Sequence, residues 1–148
     1  TIGGEDMIVE NKRLEKLCCF YVSEFHLEMI LLPYINKSLD ENKKIFIVSE
    51  INLEKSLGIL MSKINLKENR KNEILNLNWK NNSIRNVENN SVIIIVGKSK
   101  FIKNINEQLK IENSVIVDCY NFEEIQDKST EILKGYEKNL NTSGIQDI

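Results

Sequence analysis

The sequence predicts an α/β fold, a three-layer sandwich in which a mainly parallel sheet of four or five strands lies between two layers of helices. Four short runs are almost uninterrupted in β-branched and aromatic residues, which is typical of strands buried on both faces of a parallel sheet. The segments between these runs have apolar residues at helical spacing, and strands that alternate with helices are the pattern of layered α/β domains. The four predicted strands are Cys18–Val22, Ile45–Val48, Val92–Val96 and Val115–Cys119.

The segments between the strands each present one apolar helical face. Pro33, the only proline, either kinks the first helix or lies in the tolerated first turn of a helix that starts near Met29. Asn52 is placed to cap the second helix, and a short extra strand is predicted at Ile74–Asn78. The apolar faces of the four helices extend over residues 27–35, 53–64, 101–109 and 122–140.

The length of 148 residues predicts one domain with a single core. We assign residues 1–10 to a flexible N-terminal leader or a cloning remnant, and residues 11–141 to a Rossmann-like α/β domain. The polar residues 142–148 are expected to form a frayed tail.

Composition argues against two classes of partner. The formal net charge is −2 and lysines are interspersed with glutamates and asparagines, so there is no basic stripe for nucleic acid. No apolar run approaches the roughly 20 residues that span a bilayer, and the N-terminus lacks a secretory pattern. Three cysteines without framework spacing fit a reducing compartment, so we expect a cytoplasmic protein.

The carboxyl ends of the predicted strands carry the candidate site, because ligands of open parallel sheets bind there. Polar residues follow all four strands, although strand ends are also polar simply because they meet water. Glu24 and Glu50 form either a paired-carboxylate site or favourable charges beside helix N-termini. These residues are Ser23, Glu24, Phe25 and His26 after the first strand, Ser49 and Glu50 after the second, residues 97–99 after the third, and Tyr120 and Asn121 after the fourth.

The first strand-to-helix turn, Ser23 to His26, argues against ordinary nucleotide chemistry. A phosphate-binding turn needs glycines so that backbone N–H groups can close on the anion, and this turn is bulky and carries a carboxylate. Residues 97–99, Gly-Lys-Ser, resemble the end of a phosphate loop but lack an upstream glycine. We therefore expect ATP with magnesium to bind no better than about 1 mM.

The histidine and the cysteines each allow two interpretations. His26, the only histidine, is a proton acceptor or ligand, or else it hydrogen-bonds locally. Cys18 and Cys19 are adjacent, so their side chains point to opposite faces of the strand and cannot act as a CxxC pair. Together with Cys119 they make no zinc pattern, and we expect buried structural thiols and no metal. A thiol or acid–base enzyme would need a lowered cysteine pKa beside His26.

Residues 18–50 resemble the start of MEDS domains, the sensory modules of methanogen and methylotroph regulators. That family opens with His-x-Cys-x-x-Tyr on its first strand, continues with a Pro-aromatic pair on a helix and ends its second strand in an acidic residue. Here Lys16, Cys18 and Tyr21 stand at the first motif, Pro33-Tyr34 at the second and Glu50 at the third. Lys16 replaces the histidine, and residues 117–122 are similar to the family's Cys-x-Tyr-Asp segment.

The resemblance implies a RecA-like fold without a phosphate loop, and sensing or signal relay instead of turnover. We therefore expect a non-catalytic sensory or regulatory domain that binds a small molecule, without a cofactor. The alternative is a degenerate ATPase-like module that binds a regulatory protein, and a homodimer is a further expectation. The predicted ligand-binding residues are Cys18, Tyr21, Glu24, Phe25, His26, Ser49 and Glu50.

Overall fold

The computed structural model describes residues 13–148, so the boundary predicted near residue 10 lies outside the described residues. Helices and strands alternate along most of the chain. The elements are β1 (Leu14–Tyr21), α1 (Glu24–Asp40), β2 (Lys44–Ser49), α2 (Glu54–Met61), α3 (Glu68–Leu75), β3 (Ser91–Gly97), α4 (Ser99–Gln108), β4 (Ser114–Asn121), α5 (Phe122–Ile125), a 3-10 turn (Gln126–Lys128), α6 (Ser129–Leu133), β5 (Lys138–Asn141) and β6 (Gly144–Asp147).

All six strands form one sheet with the order β2-β3-β4-β1-β5-β6. Every neighbouring pair is parallel except β5 and β6, which form an antiparallel hairpin. From β1 the chain crosses to the β2 edge, returns through β3 and β4, and then passes β1 to reach β5. The neighbouring strands β1 and β4 thus lead into connections of opposite direction, which is the place where ligands bind in such sheets.

Side chains alternate between two apolar layers on the two faces of the sheet. On β1, Leu17, Cys19 and Tyr21 pack against α1, α2 and α3, and we call this side the α1 face. Cys18 and Phe20 point the other way, towards α4, α5 and α6, and we call this side the α4 face. All seven residues of β3 are buried, as expected for a strand covered on both faces.

The predicted α/β three-layer sandwich is confirmed, and residues 13–148 contain six strands instead of the expected four or five. The extra strand at Ile74–Asn78 is wrong, because Ile74 and Leu75 end helix α3. Ile74 is fully buried, and the indole Nε1–H of Trp79 donates to its carbonyl at 2.7 Å. This contact ends α3 and turns the chain inward.

The C-terminal segment also differs from the prediction. One helix was expected as far as Leu140, but α6 ends at Leu133 and Lys138 begins β5. Lys138 and Asn139 pair with β1, so this part of the chain extends the sheet. The tail expected to fray from residue 142 is wrong as well, because residues 144–147 form β6 against β5.

Helix α1 continues through Pro33, which is exposed and lies inside the helix. Two polar contacts join this helix to its neighbours. The Oγ–H of Ser56 on α2 donates to the carboxylate of Glu28, which is 3% exposed, at 2.7 Å. Arg70 on α3 donates to Asp40 at 2.7 Å. Near the start of α2, the Asn52 side chain accepts the N–H of Glu54, which agrees in part with its predicted capping role.

The outer edge of β2 is covered by the segment that follows Trp79. The N–H of Ser49 donates to the carbonyl of Asn81 at 2.7 Å, and the Asn81 side-chain amide donates to the carbonyl of Ile47 at 2.9 Å. A single asparagine therefore replaces part of a neighbouring strand and satisfies backbone groups that an edge strand would leave unpaired.

Candidate functional site

A cavity of about 310 Å³ opens at the carboxyl ends of β1, β2, β3 and β4. We call it the carboxyl-edge cavity. It brings together three predicted residues, Tyr21, Glu24 and Glu50, from two different strand-to-helix connections. Its lining consists of Tyr21, Ser23, Glu24, Glu50, Ile51, Gly97, Lys98 and Asn121.

Tyr21 forms the buried wall of this cavity. The residue is only 4% exposed, and it contributes to the cavity lining. Burial raises the pKa of Tyr21 to about 12, and the nearby Cys119, Cys19, Glu24 and Glu50 act in the same direction. The hydroxyl is therefore protonated at neutral pH and can both donate and accept a hydrogen bond.

Glu50 occupies the N-terminus of α4. Its Oε1 accepts the backbone N–H of Lys98 at 2.9 Å, and its own N–H donates to the carbonyl of Val96 at 2.8 Å. Gly97 permits this approach, because a Cβ there would lie 3.0 Å from both the Cβ and the Oε1 of Glu50 and 2.7 Å from the Phe101 ring. The glycine of the Gly-Lys-Ser sequence thus admits a carboxylate from the protein itself.

A second carboxylate caps the same helix from the other side. Glu124 Oε1 accepts the N–H of Ser99 at 2.7 Å, and its Oε2 accepts the Ser99 hydroxyl at 3.2 Å. The first N–H groups of a helix attract anions through the helix dipole. Because Glu50 and Glu124 already satisfy two of them, a phosphate at this position would meet two negative charges.

The turn before α1 uses His26 for a local contact. Its Nδ1 accepts the N–H of Val22 at 3.0 Å, and Ser23 caps the helix by accepting the N–H of His26 at 3.1 Å. Nδ1 therefore carries no proton in this geometry. His26 and Phe25, whose side chain is 62% exposed, lie outside the cavity lining, and this differs from the prediction that both belong to the site.

Cys18 and Ser49 also differ from their predicted place in the site. Cys18 points to the α4 face while Tyr21 points to the α1 face, since the β1–β4 register runs without a bulge. Burial raises the pKa of the Cys18 thiol to about 12, which leaves it protonated at neutral pH. Ser49 is 1% exposed, and its hydroxyl exchanges hydrogen bonds with the backbone of Ile51 within the turn.

Sequence reasoning missed a polar cluster on the α4 face. Asp118 is fully buried in β4, and its Oδ1 accepts the Asn106 amide at 3.0 Å. Its Oδ2 accepts the Tyr136 hydroxyl at 2.6 Å and lies 3.5 Å from the Lys16 ammonium. A charged residue inside the otherwise apolar run from Val115 to Cys119 was the signal that could have revealed it.

The two tyrosines of this cluster form an ordered chain. The Tyr136 hydroxyl gives its one proton to Asp118, so in its 2.7 Å contact with Tyr120 it is the acceptor and Tyr120 donates. Burial, with the charge and hydrogen bond of Asp118, raises the pKa of Tyr136 far above its usual range. Both phenols therefore remain protonated, and all polar side-chain atoms buried in residues 13–148 have partners.

Above this cluster lies an opening of about 450 Å³ between α4 and α6, which we call the second-face groove. Lys16, Asp118 and Tyr120 form its floor, and Ile102, Ile132 and Tyr136 stand at its sides. It shares no lining residue with the carboxyl-edge cavity.

Two further findings concern the whole described range. Within residues 13–148, no three histidine, cysteine or acidic side chains come together in a way that could hold a metal ion. No helix in this part of the chain combines the length and the apolar character needed to cross a membrane.

Comparisons with known proteins identified no relative of this chain. No protein-family model matches the chain, and no curated protein or solved structure gives a significant match. The resemblance to MEDS domains thus stays a prediction, and function has to be argued from the geometry of the two openings.

Proposed function

We propose that this protein is a non-catalytic sensory or regulatory domain that binds a small polar molecule in the carboxyl-edge cavity. The observation that carries this proposal is the juxtaposition of the Tyr21 hydroxyl with the carboxylates of Glu24 and Glu50 in one cavity lining. All three residues lie at or just after the carboxyl ends of parallel strands, where ligands of open sheets bind. A hydroxyl and two carboxylates can hold a polar ligand through hydrogen bonds.

The charges around the cavity favour a ligand that donates hydrogen bonds. Glu24 and Glu50 contribute two carboxylates, against the single positive charge of Lys98. Glu50 uses Oε1 for the Lys98 N–H, which leaves Oε2 for a ligand. An amine, a guanidinium group or a polyol fits this acceptor-rich lining, whereas a phosphate is disfavoured by both carboxylates.

The regulatory role is supported by the state of the candidate nucleophiles and bases. The thiols of Cys18 and Cys119 are buried with raised pKa values, and His26 uses Nδ1 as a local acceptor. A nucleophile needs a lowered pKa or an adjacent base. Binding without turnover is therefore the function that this set of side chains supports best.

Thermal denaturation with a panel of small amines, guanidinium compounds, polyols and nucleotides tests this proposal. A ligand of the folded state at a hundredfold excess over its Kd raises stability by about 2.7 kcal/mol. We expect stabilisation by a donor-bearing compound, and no saturable effect of ATP with magnesium below about 1 mM. Micromolar binding of ATP would refute the conclusion that Glu50 and Glu124 exclude a phosphate from the N-terminus of α4.

Single substitutions inside and outside the carboxyl-edge cavity test whether the ligand binds there. Tyr21→Phe removes only the hydroxyl and Glu24→Gln only the charge, and each should weaken binding about tenfold or more with little change in folding. His26→Ala, outside the cavity lining, serves as the control. Binding that is lost in His26→Ala but kept in Tyr21→Phe would contradict this cavity.

The start of α1 favours a second candidate function, an interaction module for a regulatory protein. Val22, Phe25 and Met29 are 66%, 62% and 42% exposed, and Phe25 and Met29 are one helical turn apart. A flat response across the compound panel, with partner capture that is lost in Phe25→Ser, would favour this function over ligand binding.

A further inference from the structure

We propose that the second-face groove is a binding site for a small amphipathic carboxylate, an organic acid with an apolar body. This inference does not depend on the proposed function, because the groove and the carboxyl-edge cavity have no lining residue in common. It rests on the shape of the groove, on the free donors of Lys16 and on the way Asp118 is held.

The groove has the size and walls of a small-molecule site. Its volume of about 450 Å³ lies in the range of ligand-binding clefts. Ile102 from α4 and Ile132 from α6 line it on two elements, and Tyr120 contributes an aromatic surface from β4. These side chains provide an apolar surface for a ring or a short alkyl chain in an open groove.

Lys16 presents unused hydrogen-bond donors at the floor. Its ammonium group has three N–H donors, and among residues 13–148 its one ionic contact is with Asp118, at 3.5 Å. The ammonium also lies 5.6 Å from the centre of the Tyr136 ring, within the range of a cation–π contact. The side chain is 37% exposed and lines the groove, so the remaining N–H groups are accessible to a ligand.

Asp118 holds this lysine without offering its own charge to the ligand. The carboxylate is 0% exposed, and its oxygens are directed at Asn106 and Tyr136 as well as at Lys16. A ligand in the groove therefore meets the ammonium before the carboxylate. An ammonium already fixed in place reduces the entropy lost on binding.

Charged residues at the rim of the second-face groove also favour a carboxylate ligand. Lys103 on α4 adds a second positive charge to the lining, and Glu107, one turn further along, adds one negative charge. An acid whose carboxylate lies between Lys16 and Lys103, with its body between Ile102 and Ile132, satisfies both the charges and the apolar walls.

Fluorine NMR titration of the full chain with para-fluorobenzoate, and with neutral para-fluorobenzyl alcohol as the matched control, tests the proposal. We expect saturable benzoate binding with a Kd of about 1 mM or tighter, and at least about tenfold weaker binding of the alcohol. Lys103→Gln should weaken benzoate binding several-fold, and Ile132→Trp, which fills the groove, should abolish it. Glu24→Gln, in the other opening, should leave it unchanged.

Three results would overturn the site. The first is the absence of saturable benzoate binding up to about 10 mM, which would assign the cluster to stability alone. The second is equal affinity for the alcohol, and the third is benzoate binding that survives in Ile132→Trp. Lys16→Gln tests the ammonium directly; circular dichroism checks its folding, and if it unfolds, Lys103→Gln and Ile132→Trp decide the question.

Discussion

The carboxyl-edge cavity and the second-face groove both open beside β4, but they hold their charges in different ways. In the cavity, Glu24 at the start of α1 and Glu50 just after β2 are both exposed, and Glu50 approaches the backbone because residue 97 is a glycine. In the groove, Asp118 is fully buried within a strand and is fixed by side chains from β1, α4 and the segment after α6.

The buried charge of the groove and the exposed charges of the cavity should contribute differently to folding stability. Breaking a buried ion pair leaves an uncompensated charge and is strongly destabilising, whereas an exposed charge contributes little to folding. Substitutions in the groove floor should therefore change stability first, and substitutions of the cavity carboxylates should change binding first. Asp118→Ala with its Glu24→Ala control tests that division directly, and two further substitutions extend the comparison to a close backbone approach and to a second buried carboxyl.

The largest effect is expected for Asp118→Ala. It removes the acceptor of Asn106, Tyr136 and Lys16 at once, so the free energy of unfolding should fall by about 3–5 kcal/mol. Urea denaturation measures it, with Glu24→Ala as the exposed control, expected within about 0.5 kcal/mol of the parent. A loss below about 1 kcal/mol for Asp118→Ala would show that the groove floor does not stabilise the fold.

An intermediate effect is expected for Gly97→Ala. The added Cβ would lie 2.7 Å from the Phe101 ring and 3.0 Å from Glu50, and such overpacking costs about 1–3 kcal/mol. Gly58→Ala is a matched control inside α2, where a Cβ has no neighbour within 4 Å; helix propensity predicts a gain of up to about 1 kcal/mol. Equal effects of the two exchanges on thermal stability would contradict the close approach of Glu50.

The smallest effect is expected for Glu28→Gln, and it depends on pH. Glu28 is a buried carboxyl with one hydroxyl donor, and burial raises its pKa above the ordinary value despite the Ser56 hydrogen bond. The folded state then binds more protons than the unfolded state, so this group's contribution to stability is full below the ordinary glutamate pKa and is lost as pH rises through the raised pKa. Because glutamine does not titrate, the Glu28→Gln variant does not lose this stability as pH rises.

Unfolding free energies measured from about pH 4 to pH 7 should shift in favour of Glu28→Gln as pH rises. The exposed Glu131 offers the same exchange as a control. A difference between parent and variant that stays constant over this range, or moves towards the parent, would show that burial does not raise the pKa of Glu28.

Much of the fold follows from the sequence because its strands are apolar on both faces. Ile45–Val48 and Val92–Val96 contain no polar residue that would favour another prediction, and both lie within the observed strands. Ile74–Asn78 was wrong because three apolar residues in a polar segment fit either a strand or a helix end, and the Trp79 contact that decides between them is tertiary. The β5–β6 hairpin was missed because residues 138–147 are mostly polar; β5 forms a strand by pairing with β1, and β6 by pairing with β5.

The site was predicted in part for a similar reason. The rule that ligands bind at carboxyl ends of parallel strands led to Glu24 and Glu50, and Tyr21 stood in the MEDS-like motif; all three line one cavity. The rule could not separate these from His26 and Ser49, whose polar atoms are used within their own turns. Nor could it find Asp118, since its partners Asn106 and Tyr136 come from segments that only folding brings together.

The asparagine that covers β2 has a consequence for assembly. With Asn81 bonded to Ile47 and Ser49, the β2 margin offers few backbone groups to an incoming polypeptide. The opposite margin, β6, pairs on one side only within residues 13–148. Within the part of the chain that the structure describes, a strand from another molecule would therefore find more free backbone groups on β6 than on β2.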